Sequence, residues 1–168
     1  EQNALSNLYK QKYISGELPP VIFSFIRKKD GKELQHKIIP YMEKHCYARE
    51  GRRFRAIWGC KNGGNIVLEQ AFTPDLFTVA SLTDTDLFLA DSDIEKIDSG
   101  KKIREQLWLY IDTPSASENY VGNGLLHIYL RENKFTHEYR ARNEEDGFDY
   151  LLSGFLPALT YICKKFHH

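Results

Sequence analysis

Six acidic residues between positions 84 and 98 form the densest set of possible metal ligands in the chain. They are Asp84, Asp86, Asp91, Asp93, Glu95 and Asp98. An EF-hand loop beginning at Asp91 would place Lys96 where glycine is needed and Lys102 where a bidentate glutamate is needed. Acidic side chains near a helix start are also favoured by the helix dipole. The spacing therefore predicts solvated carboxylates and no metal site.

Histidine and cysteine could supply a zinc site or a nucleophile, but their spacing fits neither. The residues concerned are His36, His45, Cys46, Cys60, His127 and His137. They contain no CxxC or HxxxH pair of the kind that zinc sites use. His45 and Cys46 are adjacent, so their side chains diverge on a strand or a helix and cannot act as a nucleophile with its base.

Many hydrolases and nucleotide-binding proteins carry short glycine-containing motifs. The sequence contains no GxSxG elbow, Walker loop or GxGxxG fingerprint. The glycines at 63 and 64 and at 122 and 124 lie in predicted turns, which indicates a conformational role. Four further carboxylates adjoin a predicted helix start and need no catalytic explanation: Glu144, Glu145, Asp146 and Asp149. The sequence thus predicts no catalytic residue and no cofactor.

One basic segment could contact nucleic acid, with Arg49, Arg52, Arg53 and Arg55 close to aromatic residues. Strand alternation would bury the aromatic side chains and leave the arginines as a solvated face. The chain has 23 basic and 23 acidic residues, so no overall positive charge attracts a polyanion. We therefore do not expect a nucleic-acid partner.

A hairpin over residues 125–142 is the strongest local pattern. Turning at residues 132 and 133, it places apolar side chains on one face and polar side chains on the other. The polar face includes His127, Tyr129, Arg131, Glu138 and Arg140. Tyrosine and arginine are enriched at binding hot spots. The pattern predicts that these five residues bind another protein, and an ordinary solvent face is the alternative.

The remaining elements define the expected fold. Helices are predicted over residues 3–13 and 93–106 and from residue 148 onward, and strands over 21–26, 76–82 and 107–111. A hairpin is predicted around Gly63 and Gly64. Residues 32–46 fit either a returning strand or a helix, and Pro40 slightly favours the strand.

These elements predict an α+β fold in one domain spanning residues 1–168. Its antiparallel sheet would have about five to seven strands, with the N- and C-terminal helices packed on one face. The apolar share of 42% and the chain length are sufficient for a core. The longest apolar stretch, at 151–163, is too short and too interrupted to span a bilayer.

Three cysteines allow one disulfide. Cys46 and Cys60 flank a polar segment, and closing that loop would stabilise the fold by about 3 kcal/mol, so they are the predicted pair. Three reduced cysteines in a cytoplasmic protein are the alternative. Because Glu1 is not an initiator methionine, we expect that an upstream segment was removed and that the protein is periplasmic or secreted. His167 and His168 are interpreted as the start of a purification tag.

The sequence accordingly predicts a small exported protein-binding module, such as an enzyme inhibitor or an immunity protein that neutralises a partner. Small size, the predicted disulfide and the lack of catalytic motifs favour this hypothesis. Two alternatives remain open. One is a small hydrolase or ligand-binding enzyme whose site is assembled from residues distant in sequence, and the other is a subunit of a cell-envelope assembly.

Overall fold

Four strands alternate with helices in the part of residues 56–165 that the structure describes. The structure is a computed structural model that describes residues 2–26, 31–87, 89–144 and 147–166. The strands are β1 (Ala56–Lys61), β2 (Val79–Thr85), β3 (Trp108–Pro114) and β4 (His137–Arg142). The helices are α1 (Gln2–Ile14), α2 (Gly31–Glu33), α3 (Ile39–His45), α4 (Gly64–Ala71), α5 (Asp91–Ser99), α6 (Tyr120–Glu132) and α7 (Phe148–Lys165). None of the helices in the described ranges is long and apolar enough to cross a membrane.

The sheet is parallel throughout, with the strand order β1-β2-β3-β4. Ala56 pairs with Val79, which pairs with Trp108, and Leu109 pairs with His137. Parallel neighbours need a crossover of a dozen or more residues, and α4, α5 and α6 supply these crossovers. The predicted antiparallel sheet of five to seven strands is therefore wrong.

Helices cover both faces of this sheet. On one face, side chains of α4, α5 and α6 pack on the apolar residues of β2 and β3. On the other face, α1 and α7 form a second cluster that includes Leu5, Phe155 and Leu159 and reaches Trp58 of β1. Because it is covered on both sides, β2 is buried along its whole length.

Both predicted hairpins are wrong because helices occupy one arm of each. Val67, Leu68 and Ala71 are buried at helical spacing in α4, where the returning strand after Gly64 was expected. Leu126 and Leu130 lie four residues apart on the buried face of α6. That spacing satisfies a strand period of two as well as a helical period, so alternation alone could not separate the two structures.

The N-terminal region also departs from expectation. Residues 31–45 are helical, with a wider π turn at Leu34–Ile38, so the hairpin alternative there is wrong. Pro40 lies in the first turn of α3, where its missing N–H is tolerated. The strand predicted at 21–26 does not join the sheet; the Tyr9 hydroxyl accepts a hydrogen bond from the Val21 N–H at 2.7 Å instead.

Several elements are confirmed. The helices predicted at the two ends correspond to α1 and α7, and α7 continues through Pro157. The strands predicted at 76–82 and 107–111 overlap β2 and β3.

The predicted disulfide between Cys46 and Cys60 is not present. All three cysteines are reduced thiols. Cys46 follows the end of α3, whereas Cys60 lies within β1 and is followed by a helix instead of a returning strand. Cys163 is buried in the α1 and α7 cluster, and this burial raises the pKa of its thiol to about 11.

Candidate functional site

A sharp turn joins the end of β1 to the start of α4. Its central residue, Lys61, has a φ of 49°, in the left-handed region that non-glycine residues seldom occupy. The chain reverses within two residues, because β1 ends at Lys61 and α4 begins at Gly64. The lysine side chain is therefore presented at the carboxyl edge of the sheet.

Two glycines allow the strand and the helix to come this close together. A Cβ on Gly59 would lie 2.6 Å from Cγ2 of Val67 and 2.7 Å from the carbonyl oxygen of Gly63. A Cβ on Gly63 would lie 3.0 Å from the carbonyl oxygen of Cys60. Packing thus requires glycine at position 59 and favours glycine at position 63.

A buried carboxylate at the end of the neighbouring strand holds the lysine. Nζ of Lys61 donates to Oδ2 of Asp84 at 2.5 Å, and Asp84 is completely buried. Oδ1 of Asp84 accepts from the Ser117 hydroxyl at 2.6 Å and from Nδ2 of Asn119 at 3.2 Å. The carboxylate consequently has hydrogen-bond donors on both of its oxygens, as a buried charge needs.

Hydrogen bonds at the start of α6 fix these partners. The Asn119 N–H donates to Oγ of Ser117, and Nδ2 of Asn123 donates to the Thr85 carbonyl at 2.8 Å. The Thr85 hydroxyl donates to Oδ1 of Asn123, also at 2.8 Å. The ends of β1 and β2 and the loop after β3 are thereby joined into one rigid polar site.

The turn has the geometry of a nucleophile elbow. In the GxSxG motif, a strand leads into a helix through a strained turn whose central serine attacks an acyl group, and the N–H of the next residue helps to bind the oxyanion. The corresponding stretch here is Gly59-Cys60-Lys61-Asn62-Gly63. Lys61 therefore occupies the position of the nucleophilic serine, and Asn62 the position of the oxyanion donor.

The histidine of a catalytic triad is also missing from its expected place. The chain order for this elbow is nucleophile, acid and then histidine. Between β4 and α7 the sequence at 143–147 contains no histidine. His127 and His137 come earlier, and they contact each other, with Nδ1 of His127 2.8 Å from Nε2 of His137. His137 is the first residue of β4. β4 and β1, the strand that ends at Lys61, are the two outer strands of the sheet.

Solved structures with the same fold include hydrolases, although no protein-family model and no curated protein sequence matches the chain. One is a ferulic acid esterase, 15% identical, with a TM-score of 0.83 over 99% of this chain and 79% of that chain. Another is FphF, a fluorophosphonate-binding serine hydrolase of Staphylococcus aureus, 15% identical, with a TM-score of 0.66 over 79% of this chain and 63% of that one. A third is an α/β hydrolase enzyme from a Medee basin deep-sea metagenome library, 9% identical, with a TM-score of 0.63 over 96% of this chain and 77% of that one.

This chain has the α/β-hydrolase fold. This fold contradicts the prediction of an inhibitor or immunity protein, which rested on small size, the predicted disulfide and the lack of catalytic motifs. It supports the hydrolase alternative instead, because the α/β-hydrolase site is assembled from residues distant in sequence. At the carboxyl ends of β1, β2 and β3 in this chain, hydrogen bonds join Lys61, Asp84, Ser117 and Asn119.

The five residues predicted to bind a protein do not share one face. Tyr129 donates to Oδ1 of Asp98 at 2.5 Å, a contact that raises the pKa of its hydroxyl. His127 is half-buried against His137, and this burial lowers the pKa of its imidazole. Both residues, like Arg131, belong to α6.

Glu138 and Arg140 belong to β4 and line a shallow groove against α7. Nε of Arg140 donates to Oε1 of Glu138 at 2.7 Å, so the two side chains are bound to each other. A role of the five residues in protein binding stays a prediction.

The GxSxG pattern does not identify this elbow, because lysine stands at position 61 where the motif has serine. The useful signal was the stretch Gly59–Gly64, with paired glycines between an apolar strand and an apolar helix. Asp84 was noted only as a possible calcium ligand. Ser117 and Asn119 carry no local signal, because only the folded sheet brings them to Asp84.

Proposed function

We propose that this chain binds an ester- or carboxylate-bearing ligand at the carboxyl ends of β1, β2 and β3 and does not cleave it by the serine mechanism. The observation that carries the proposal is Lys61, which stands at the centre of the elbow with its ammonium on Asp84. A lysine there keeps the strained turn but removes the hydroxyl nucleophile.

Lysine cannot simply replace serine as the nucleophile. An amine attacks only when it has lost its proton, and nucleophilic lysines are activated by apolar surroundings or by a nearby cation. Lys61 instead contacts a carboxylate, which favours the charged ammonium. The ammonium has no lone pair with which to attack an acyl carbon.

The position of the polar site supports ligand binding. In parallel α/β sheets, ligands bind outside the carboxyl ends of the strands. Lys61, Asp84 and Ser117 lie at these ends, and the Asn62 N–H has the position that faces an acyl oxygen in a nucleophile elbow. The ferulic acid esterase among the similar structures suggests the ligand class, an ester or its free acid.

A second candidate function rests on Ser117. Its hydroxyl donates to the buried carboxylate of Asp84 at 2.6 Å, which is the kind of contact that orients a nucleophile toward a base. Hydrolysis by Ser117 would need no serine at the elbow. The experiment below separates this alternative from binding without cleavage.

The test measures turnover of p-nitrophenyl acetate and covalent labelling by a fluorophosphonate, with intact-mass detection of the adduct. The unchanged protein is expected to give no adduct and no turnover above that of Ser117→Ala. Lys61→Ser is expected to stay inactive, because residues 143–147, between β4 and α7, contain no histidine to activate the new hydroxyl.

Two outcomes would contradict the proposal. Turnover that is lost in Ser117→Ala would establish the second candidate. Turnover that is lost in Lys61→Ala and kept in Ser117→Ala would show that lysine itself acts on the ester. Circular dichroism of each variant verifies that lost activity does not reflect unfolding.

A further inference from the structure

A cluster of arginines lies between α3 and β1, outside the candidate site. Its members are Arg49, Arg52, Arg53 and Arg55. A strand here would bury Phe54 and leave the arginines as a solvated face, but no strand forms. Residues 46–51 have no regular structure, Arg52–Phe54 form a 3₁₀ turn, and β1 begins at Ala56. Phe54 is 36% exposed. Three of the arginines therefore belong to an exposed turn at residues 49–54, the arginine turn.

Two of these arginines lie on the same aromatic ring. The guanidinium carbon of Arg49 is 5.2 Å from the centroid of the Phe54 ring, and that of Arg53 is 5.9 Å from it. Both arginines are exposed, and neither forms an ion pair with a residue in the described ranges. Stacking on a ring orients a guanidinium but does not occupy its N–H donors. The arginine turn therefore presents two oriented positive charges side by side.

Arg52 adds a third positive charge to the turn. Its Nη1 donates to Oε1 of Gln106 at 3.2 Å, and its Nη2 donates to the Gln106 carbonyl, so both acceptors are neutral. Burial lowers the pKa of this guanidinium, and the charge of Asp75 opposes that effect. A bound anion would compensate this partly buried charge further.

The acidic residues of the segment do not neutralise the stacked pair. Glu43 is bound to Arg55, whose Nε donates to its Oε1 at 2.9 Å. Glu50 is exposed and forms no ion pair with any residue that the structure describes. Residues 49–53 contain three arginines and one glutamate, which gives them a net charge of +2. The local charge thus favours an anion at the arginine turn.

We propose that the arginine turn binds a phosphate group, to which Arg49 and Arg53 donate hydrogen bonds while they rest on the Phe54 ring. An ionised phosphate monoester carries a charge of about −1.5 to −2 and three acceptor oxygens, so it matches two guanidinium groups. A carboxylate has a single charge, and one arginine can bind both of its oxygens. The two stacked arginines therefore favour phosphate over carboxylate.

This site is separate from the candidate site at the elbow. The arginine turn precedes β1, whereas Lys61 is the last residue of that strand. A strand of six residues is about 20 Å long. Phosphate binding is therefore expected to be the same in Lys61→Ala, whatever the elbow binds.

An NMR titration with inorganic phosphate, at an ionic strength held constant with sodium chloride, tests the proposal. The amides of the arginine turn should shift and saturate with a dissociation constant of about 1 mM, as expected for two charge-assisted hydrogen bonds. Phenyl phosphate should bind at least as tightly, and acetate about tenfold more weakly. Phosphate affinity should rise as the pH is raised through about 6, where the phosphate gains its second charge.

Glutamine variants test which residues bind the phosphate. Arg49→Gln and Arg53→Gln should each raise the dissociation constant by about tenfold, because each removes one charge-assisted hydrogen bond. Arg131→Gln is the matched control, since Arg131 is an exposed arginine of α6 that has no ion pair within the described ranges. Its phosphate affinity should equal that of the unchanged protein.

Three results would overturn the proposal. The first is an arginine turn whose amides do not respond to phosphate or phenyl phosphate. The second is equal weakening by Arg131→Gln, which would show attraction to the overall surface charge and no defined site. The third is acetate binding as strong as phosphate binding. A response to a single-stranded oligonucleotide without one to phosphate would likewise contradict it, because base stacking would then be the cause.

Discussion

Replacing Arg142 by leucine is expected to lower the free energy of unfolding by about 3 kcal/mol. Oδ1 of Asp112 accepts from Nε of Arg142 at 2.9 Å and from the Tyr150 hydroxyl at 2.5 Å. Asp112 is completely buried at the end of β3. Without the guanidinium, its charge would stay buried with one partner fewer. Chemical denaturation of the two proteins measures the difference.

Two further variants identify the cause. Arg140→Leu removes the same side chain from an exposed pair with Glu138, and we expect it to cost less than about 1 kcal/mol. Adding Asp112→Asn to Arg142→Leu should recover part of the loss, because it removes the buried charge. Equal losses for the two arginines would show that the cluster does not anchor α7 to the sheet.

Gly122→Ala is expected to destabilise the protein by about 3 kcal/mol or more. A Cβ at Gly122 would lie 1.8 Å from the carbonyl oxygen of Leu87, in the segment that follows β2. Backbone atoms cannot rotate away as a side chain can, so α6 and this segment would have to separate. Thermal unfolding with chemical denaturation as a second measurement gives the size of the loss.

Gly124→Ala is the matched control in the same helix. Its Cβ would be in ordinary contact with the Tyr139 hydroxyl, at 3.8 Å. Alanine has the higher helix propensity, so we expect a gain of about 0.5–1 kcal/mol. A loss at Gly122 no larger than the change at Gly124 would contradict the close approach of α6 to Leu87.

The helices at the chain ends could be predicted because their apolar residues repeat over enough turns. In α7 the buried residues include Phe155, Leu159 and Ile162, and no strand pattern fits that series. In α6, Leu126 and Leu130 fit either period. The alternation of apolar and polar residues around these two leucines also fits a strand. In the folded chain, packing against β3 stabilises this segment as a helix.

The direction of the strands could not be predicted from the local pattern. β2 and β3 were recognised as strands, but whether a strand runs parallel to its neighbour depends on the chain between them. A returning strand in place of α4 would make the pairing of β1 antiparallel, and the local pattern at residues 64–71 allows such a strand.

The candidate site could not be predicted either, because it depends on the direction of the strands. Lys61, Asp84 and Ser117 meet only because parallel strands end at the same edge. In an antiparallel sheet the ends of successive strands would lie at opposite edges, and these residues would not approach one another.

One measurement tests the central claim that the elbow binds an ester without cleaving it. Methyl ferulate is added to the isotope-labelled protein, and NMR follows the protein amides and the ester together. The account predicts shifts of the Asn62, Gly63 and Gly64 amides that saturate, weaken in Lys61→Ala and leave the ester intact. Release of methanol and ferulate by the unchanged protein, or an elbow whose amides do not respond, would contradict the account.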